Sequence, residues 1–238
     1  MAVCTVRLPC TRQFGGNIRQ HVNPLAEIHQ RPIELPNDWV SRKYANPNQP
    51  FVVDIGCAKG SWATTYAKEN PNVNVLGIDI RQPVIDVALS RMQPFGLGNL
   101  HFLKSNANVD ISQILATIAN SSATGVHMIT IQFPDPYFKA RQHKRRLLND
   151  SFLQSIVNGR IKLGTMIVLQ TDVEELMLAM VDVLQRSPLV CEAAGQSYTK
   201  TLHNIIPFDL PTEREVSCLE SGHSDIYRLV VQTTQEVT

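Results

Sequence analysis

The amino-acid sequence predicts an α/β fold with a doubly wound, mostly parallel sheet, and two observations lead to this prediction. Five short runs between residues 51 and 171 are continuously apolar rather than alternating, as expected of parallel strands covered on both faces. Stretches with apolar residues at helical spacing separate these runs, so strand and helix recur with a period of about 25 to 35 residues. We therefore expect one wound domain over residues 51–238, preceded by an N-terminal arm over residues 1–50.

Each element has its own signature along the chain. The first strand, PFVVDIG, is a short apolar run that ends in glycine, and VNVLGIDI repeats the pattern before the helical segment PVIDVALSRM. Further strands are expected at HFLKSN, VHMITIQF and GTMIVLQT, with helices near residues 61–69, 109–119, 150–161 and 173–185. After Ser187 the pattern weakens, and YRLVVQTT is expected to form a last, antiparallel strand.

Residues 1–50 have no sustained periodicity and contain six prolines. Proline at this density interrupts helices and strand ladders. We therefore expect an extended, largely irregular arm that packs on another surface.

Composition excludes several classes of protein. An apolar content of 43% and a net charge of +1 argue against disorder, and no apolar run approaches the roughly 20 residues of a membrane helix. The five cysteines are scattered without a C-x-x-C pair, which predicts neither a metal site nor a disulfide framework but reduced, intracellular thiols. We expect a cytoplasmic or nuclear protein, and Arg7, Arg12 and Arg19, which precede the first acidic residue, leave organellar targeting open.

Polar or kinked residues follow all five predicted parallel strands. Asp54, Asp79, Asn106 and Thr171-Asp172 close four of them, and FPDP at residues 133–136 closes the fifth. Ligands of open α/β sheets bind outside the carboxyl ends of the strands. This placement predicts a ligand site at that edge.

The first strand end predicts a nucleotide-like ligand. Gly56 provides a turn without a Cβ, and Asp79, 25 residues after Asp54, can accept hydrogen bonds from ribose hydroxyls. The turn lacks the full G-x-G-x-x-G pattern, and Ala58 stands at its centre. The carboxylate of Asp54 favours the cationic S-adenosylmethionine over NAD, while a plain structural turn is the alternative.

The stretch QFPDPYFKARQHKRR is the least ordinary in the chain. Two prolines restrict the backbone around Asp135, and the next residues include five of the 22 basic side chains within eight positions. Without that cluster the chain would have a net charge of −4. A solvated surface is the ordinary interpretation of such a cluster, but an acid that contacts a base beside cations that contact phosphates is typical of an RNA-modifying enzyme.

At these motifs the sequence resembles the tRNA (guanine-N7-)-methyltransferases, a family with the Rossmann-like class I methyltransferase fold. The resemblance covers roughly residues 20 to 232, in the family's order. It rests on QHVNPL (20–25), DIGCAKG (54–60), GIDIR (77–81), FPDPYFKARQHKRR (133–146), TDVEEL (171–176) and PTERE (211–215). Ala58 and Tyr137 depart from the residues that members usually have.

The resemblance implies a function and a set of site residues. It implies methyl transfer from S-adenosylmethionine to N7 of a variable-loop guanosine in tRNA, with residues 51–238 as the methyltransferase domain. The cofactor contacts would be Asp54, Gly56, Asp79, Asn106 and Ala107, and the catalytic acid would be Asp135. The substrate contacts would be Asp135, Lys139, Asp172, Thr212, Glu213, Arg214 and Glu215, and the phosphate contacts Arg141, Lys144, Arg145 and Arg146.

Other interpretations remain open at this point. The chain could methylate another RNA or a small molecule, or it could be a non-catalytic RNA-binding protein with the same fold. Some members of the family act without a partner and others use a WD-repeat subunit, and neither that subunit nor a homodimer is excluded.

Overall fold

The computed structural model describes residues 21–187, 190–192, 199–200, 206–223 and 225–233. The helices are α1 (Trp39–Lys43), α2 (Ser61–Glu69), α3 (Gln82–Met92), α4 (Ala107–Ser121), α5 (Asp150–Asn158), α6 (Glu174–Gln185) and α7 (Glu213–Glu220). The strands are β1 (Phe51–Ile55), β2 (Asn74–Asp79), β3 (Leu100–Lys104), β4 (Val126–Gln132), β5 (Met166–Thr171), β6 (Val190–Glu192), β7 (Thr199–Lys200) and β8 (Tyr227–Thr233). Short 3-10 turns lie at Glu27–His29, Gln93–Phe95 and Ala140–Arg145.

The strands form one sheet in the order β3-β2-β1-β4-β5-β8-β6, with β7 also paired to β8. The first five strands of the chain are parallel, whereas β8 runs antiparallel to β5. Successive connections lead from β1 toward β3 on one side and from β4 toward β5 on the other. The predicted doubly wound sheet with a last antiparallel strand is therefore confirmed, and its order reverses between β1 and β4.

The two faces of the sheet have separate cores. Val53 of β1 packs in a cluster with apolar residues of α1, α4, α5 and α6, and Val52 packs in a second cluster with residues of α2 and α3. Because both neighbours on one strand are completely buried, the strand must be apolar at every position. Helical cover on both faces explains the continuous apolar runs in the sequence.

Some element boundaries differ from the predicted ones for local reasons. Helix α4 begins at Ala107, two residues early, because the side chain of Asn106 caps it by accepting a hydrogen bond from Asn108 N. Helix α5 ends at Asn158, three residues early, where Gly159 follows. Helix α1 was not predicted, because five residues are too few to show a period.

The described part of the arm, residues 21–50, is attached to the wound domain. Trp39 and Val40 of α1 are buried in the core. Nearer the amino end, Asn106 Nδ2 donates to the carbonyl oxygens of Pro24 and His29, at 3.0 and 2.9 Å. The arm therefore reaches the carboxyl edge of the sheet.

Among the described helices, none is both long and apolar enough to cross a bilayer.

These contacts predict the effect of Asn106→Ala. The substitution removes a helix cap and two hydrogen bonds to the arm, so we expect unfolding free energy to fall by about 1–2 kcal/mol. We also expect faster amide hydrogen exchange in residues 24–30, measured by mass spectrometry. Asn120→Ala, on the exposed last turn of the same helix, is the control. Equal exchange in the two variants would contradict an anchoring role for Asn106.

Candidate active site

A cavity lies at the carboxyl ends of β1 to β4, where the strand order reverses. Arm residues close one side of it, and the loop after β4 closes another. The residues on its wall are Val22, Pro24, Ile55, Gly56, Ile78, Asp79, Ile80, Arg81, Ser105, Asn106, Ala107, Asn108, Gln132, Phe133, Pro134, Asp135, Tyr137, Arg145 and Leu147. The wall thus includes five predicted cofactor or catalytic residues, namely Gly56, Asp79, Asn106, Ala107 and Asp135.

The turn after β1 has the left-handed backbone that its glycine pattern predicts. Gly56 has φ +83°, and Ala58 has φ +47°. An L-residue in this region is strained by roughly 1–2 kcal/mol, so such a turn favours glycine. The amide of Ala58 donates to Asp79 Oδ2 at 3.2 Å. Ala58 therefore adopts the left-handed conformation of this turn, although it has a Cβ.

Asp79 forms a tight pair with Arg81. Its Oδ1 accepts from Arg81 N at 2.9 Å and Arg81 Nε at 3.0 Å, and its Oδ2 accepts from Arg81 Nη2 at 2.9 Å. With the amide of Ala58, four donors surround a carboxylate that has about four lone-pair positions. A ribose could therefore bind Asp79 only if one of these donors moved aside. Arg81 was not among the predicted site residues, although it closes the motif GIDIR.

Asp54 lies behind the cavity wall and is 3% exposed. Its Oδ1 accepts from Thr130 Oγ1 at 2.7 Å and from Gln132 Nε2 at 3.3 Å. Burial raises the pKa of Asp54 to about 6, and the two hydrogen bonds partly oppose this rise. Gln132, which does line the cavity, was not predicted as a site residue. Its position immediately before FPDP was the available signal.

Asn106 uses its side-chain polar atoms for structure. Nδ2 binds the arm, and Oδ1 accepts from the amide of Asn108. The cofactor contact predicted for this residue would therefore compete with the helix cap and with the bonds to the arm. Ala107 lies beside it on the wall and begins α4.

Asp135 lies on the cavity wall in a loop with unusual backbone geometry. Phe133 has φ +50° and Tyr137 has φ +47°, and each such conformation costs on the order of 1–3 kcal/mol in a residue other than glycine. Phe133 N donates to Gln170 O at 2.7 Å, and Tyr137 OH donates to Val22 O at 2.9 Å. Burial, with the nearby Asp135 carboxylate, raises the pKa of Tyr137 to about 12. The loop is therefore held against both the sheet and the arm.

The arm also contacts Asp135 directly. His21 Nδ1 lies 2.7 Å from Asp135 Oδ1, and the Asp135 side chain is 36% exposed. The sequence motif QHVNPL includes this histidine, but no pattern in the chain connected it to a residue 114 positions away.

The basic cluster separates into two groups in the structure. Lys139, Arg141 and Lys144 are exposed, whereas Arg145 is half-buried on the cavity wall. Arg146 is buried: its Nε donates to Pro136 O and its Nη2 to Glu175 Oε1, both at 2.8 Å. The predicted phosphate contact of Arg146 does not fit this position, because the guanidinium holds the loop from inside.

The remaining predicted substrate residues lie one strand further along the sheet. Thr212 Oγ1 caps α7 by accepting from Glu215 N at 3.0 Å, and the buried Glu215 pairs with Arg228 and accepts from Gln170 Nε2. Arg214 pairs with Asp172, and Glu213 pairs with Arg91. The described cavity wall includes none of the four residues 212–215, nor Asp172. Thr212 and Glu215 stabilise the amino end of α7 in this structure.

Similarity to solved structures shows the fold. A variant of the 16S rRNA (adenine(1408)-N(1))-methyltransferase from Catenulisporales acidiphilia matches with a TM-score of 0.56 and 12% identity, over 87% of this chain and 96% of that one. The aminoglycoside resistance methyltransferase NpmB1 matches with a TM-score of 0.54 and 14% identity, over 85% and 95%. The fold is that of a Rossmann-like class I methyltransferase.

Similarity in sequence then defines the family. A family model described as a putative methyltransferase matches residues 48–229. A tRNA (guanine-N(7)-)-methyltransferase of Thermosynechococcus vestitus is 38% identical over 91% of this chain and 95% of its own length. One of the same name from Microcystis aeruginosa is 37% identical over 89% and 95%. The chain belongs to the tRNA (guanine-N(7)-)-methyltransferase family, and its methyl donor is S-adenosylmethionine.

The raised pKa of Asp54 predicts a pH dependence of stability. A carboxyl group with a pKa of 3.8 when unfolded and about 6 when folded contributes stability below the unfolded pKa, and this contribution is lost as pH rises through 6. Between pH 5 and pH 8, urea unfolding should show that wild type loses about 1–2 kcal/mol relative to Asp54→Asn. Asp86→Asn, on the exposed side of α3, should follow wild type. Parallel curves of unfolding free energy against pH for wild type and Asp54→Asn would exclude a raised pKa of Asp54.

Proposed function

We propose that the protein transfers a methyl group from S-adenosylmethionine to N7 of a variable-loop guanosine in tRNA. The observation that carries this proposal is the position of Asp135, on the wall of the cavity formed by the turn after β1 and next in sequence to exposed cations. The relatives named tRNA (guanine-N(7)-)-methyltransferases support the substrate. Because tRNA is intracellular, we place the reaction in the cytoplasm, the nucleus or an organelle.

The residues present fit the methyl donor. The turn at Gly56 brings backbone to the cavity without a side chain, and the buried Gln132 Oε1 has no hydrogen-bond partner in the described part of the chain. The turn, the Asp79–Arg81 pair and the start of α4 would hold the donor. When bound, S-adenosylmethionine supplies the methyl group and a sulfur leaving group that keeps the electron pair of the broken bond.

Methyl transfer to N7 requires the protein to align the reacting groups and to stabilise the charge that develops on the purine. N7 has an in-plane lone pair and no proton, so the attack needs no general base. Alignment of reacting groups can lower a barrier by roughly 7–11 kcal/mol. The new N–CH3 bond leaves positive charge on the purine, which a fixed carboxylate stabilises. We assign these two tasks to Asp135.

The arm limits access to Asp135, because the imidazole of His21 contacts Asp135 Oδ1. A guanine that approaches Asp135 would either use the second carboxylate oxygen or replace the imidazole. Asp172 and the residues of the PTERE segment, which lie beyond β4, would contact more distant parts of the substrate only after a local rearrangement. We therefore propose Asp135 as the principal contact with the guanine, and the exposed Lys139, which follows it in the loop, as a contact outside the cavity.

The activity itself is tested with labelled methyl transfer to tRNA transcripts. Transcripts with guanosine at the variable-loop position should accept label, and matched transcripts with adenosine there should not. Base analysis of the product should show 7-methylguanine. The purified chain is assayed alone and then with an added WD-repeat subunit, so a requirement for that partner is tested too. Absence of label in every transcript under both conditions would refute the proposal.

Asp135→Asn is expected to lower kcat about 10²–10³-fold, because it removes the charge that stabilises the methylated purine. Binding of tRNA, measured by filter retention, should change little. Asp86→Asn provides the same chemical change at an exposed position of α3 and should retain full activity. A fully active Asp135→Asn variant would remove this residue from the mechanism.

The exposed cations predict a salt dependence of tRNA binding. Each phosphate contact contributes about −0.7 to −0.9 to the slope of log affinity against log salt. The double variant Arg141→Ala, Lys144→Ala should therefore bind more weakly and flatten the slope by about 1.5. Arg160→Ala, Lys162→Ala removes the same charge just before the amino end of β5, opposite the cavity, and should leave the slope unchanged. Identical slopes for both double variants would mean that Arg141 and Lys144 make no phosphate contact.

A further inference from the structure

The side-chain amide of the half-buried Gln132 has an unusual environment. It is the last residue of β4, and it lies on the cavity wall. Its Nε2 donates to Asp54 Oδ1 at 3.3 Å. Its Oε1 is shielded from solvent and, within the residues that the structure describes, has no hydrogen-bond partner. Buried polar atoms normally have partners. Among the buried atoms without one in the described residues, two belong to residues of the cavity wall, the donor Arg145 Nε and the acceptor Gln132 Oε1, so a ligand that brings a hydrogen-bond donor would complete the environment of Gln132.

The orientation of the amide follows from Asp54. An ionised carboxylate can only accept hydrogen bonds, and Asp54 Oδ1 already accepts one from Thr130 Oγ1. The NH2 group of Gln132 must therefore face Asp54, and its carbonyl oxygen must face away from it. The sequence placed Asp54 in direct contact with the methyl donor, but the structure places Gln132 between Asp54 and the cavity.

The negative charge of Asp54, which contacts the Gln132 amide, favours a cationic hydrogen-bond donor at Gln132 Oε1. The negative carboxylate of Asp54 polarises the amide, which makes Oε1 a stronger acceptor for a cation. S-adenosylmethionine has two cationic groups, the sulfonium and the α-ammonium, and only the ammonium has N–H bonds to donate. Guanine N–H groups are neutral and would gain less from the charge of Asp54.

We propose that Gln132 is a binding residue for the α-ammonium group of S-adenosylmethionine, and that Asp54 acts through it as a positioning residue. The proposal rests on the proposed function only in its choice of methyl donor. Gln132 Oε1 accepts the hydrogen bond, and Asp54 fixes the amide and supplies the compensating negative charge from behind.

The experiment compares two ligands by calorimetry. One is S-adenosylhomocysteine, which retains the α-ammonium, and the other is its analogue with hydrogen in place of the α-amino group. In Gln132→Met, which keeps the length of the side chain, affinity for S-adenosylhomocysteine should fall at least about 10-fold, the effect expected for a hydrogen bond to a charged group. Affinity for the analogue should stay the same, which also shows that the variant is folded.

Gln113→Met makes the same change at an exposed position of α4 and should alter neither affinity. Equal loss for both ligands in Gln132→Met would overturn the proposal, because Gln132 would then only shape the cavity. No loss for either would also overturn it. Loss of tRNA binding in the same variant, with ligand preference intact, would assign Gln132 to guanine instead. If wild type failed to bind S-adenosylhomocysteine, the choice of methyl donor itself would fail, which is a different result.

Discussion

The pairing of β1 with β4 is the interaction on which the rest of the site depends. These strands are parallel neighbours with Ile55 opposite Ile131, although 76 residues separate the two along the chain. Their carboxyl ends therefore lie side by side, and the turn at Gly56 meets the loop that begins after Gln132. Because helices leave from β1 and β4 toward opposite ends of the sheet, the space between those ends is not covered by a crossover. The cavity and its carboxylates are a consequence of that topology.

The structure stores backbone strain around this edge. Ala58, Phe133 and Tyr137 all have positive φ and all lie at or beside the cavity, in the two loops that the β1–β4 pairing brings together. The loop after β4 is kept in this conformation by hydrogen bonds at three points: at its start through Phe133 N, at its middle through Pro136 O, and at Tyr137 OH. The buried Arg146 supplies the second of these. The ion pair between Arg146 and Glu175 therefore stabilises the loop that positions Asp135. It does not make Arg146 part of the charged surface.

Sequence reasoning predicted the sheet, but it could not resolve site assignments that depend on the direction of a side chain. Continuous apolar runs indicate burial on both faces, which is a property of a whole strand. The doubly wound sheet and the ends of its strands could therefore be predicted from these runs. Arg146 could not be separated from Arg141 by charge, since two arginines in one basic run differ only in which way they point. Gln132 looked like the end of an apolar strand, and its exposure to the cavity is set by the pleat at its last position. Asn106 was assigned to the cofactor through the family resemblance, and the sequence could not separate that contact from a helix cap, because both use the same side-chain atoms.

The arm links these features, because it contacts the site at both ends of the cavity. Asn106 holds Pro24 and His29 beside α4, while Tyr137 and Asp135 hold Val22 and His21 beside the loop after β4. A ligand that fills the space between α4 and the loop must do so under this segment, so the energy of opening or displacing the arm is part of its binding energy. The arm contacts Asp135 through a side-chain pair. It contacts α4 and its cap through two backbone carbonyls and through the amide of Ile33, which donates to Asp110 Oδ1 at 3.1 Å. Release of Asp135 therefore requires loss of one exposed contact, whereas release of the arm from α4 requires loss of three buried or half-buried hydrogen bonds. Access for a guanine at Asp135 consequently demands less rearrangement than removal of the arm from the cofactor side.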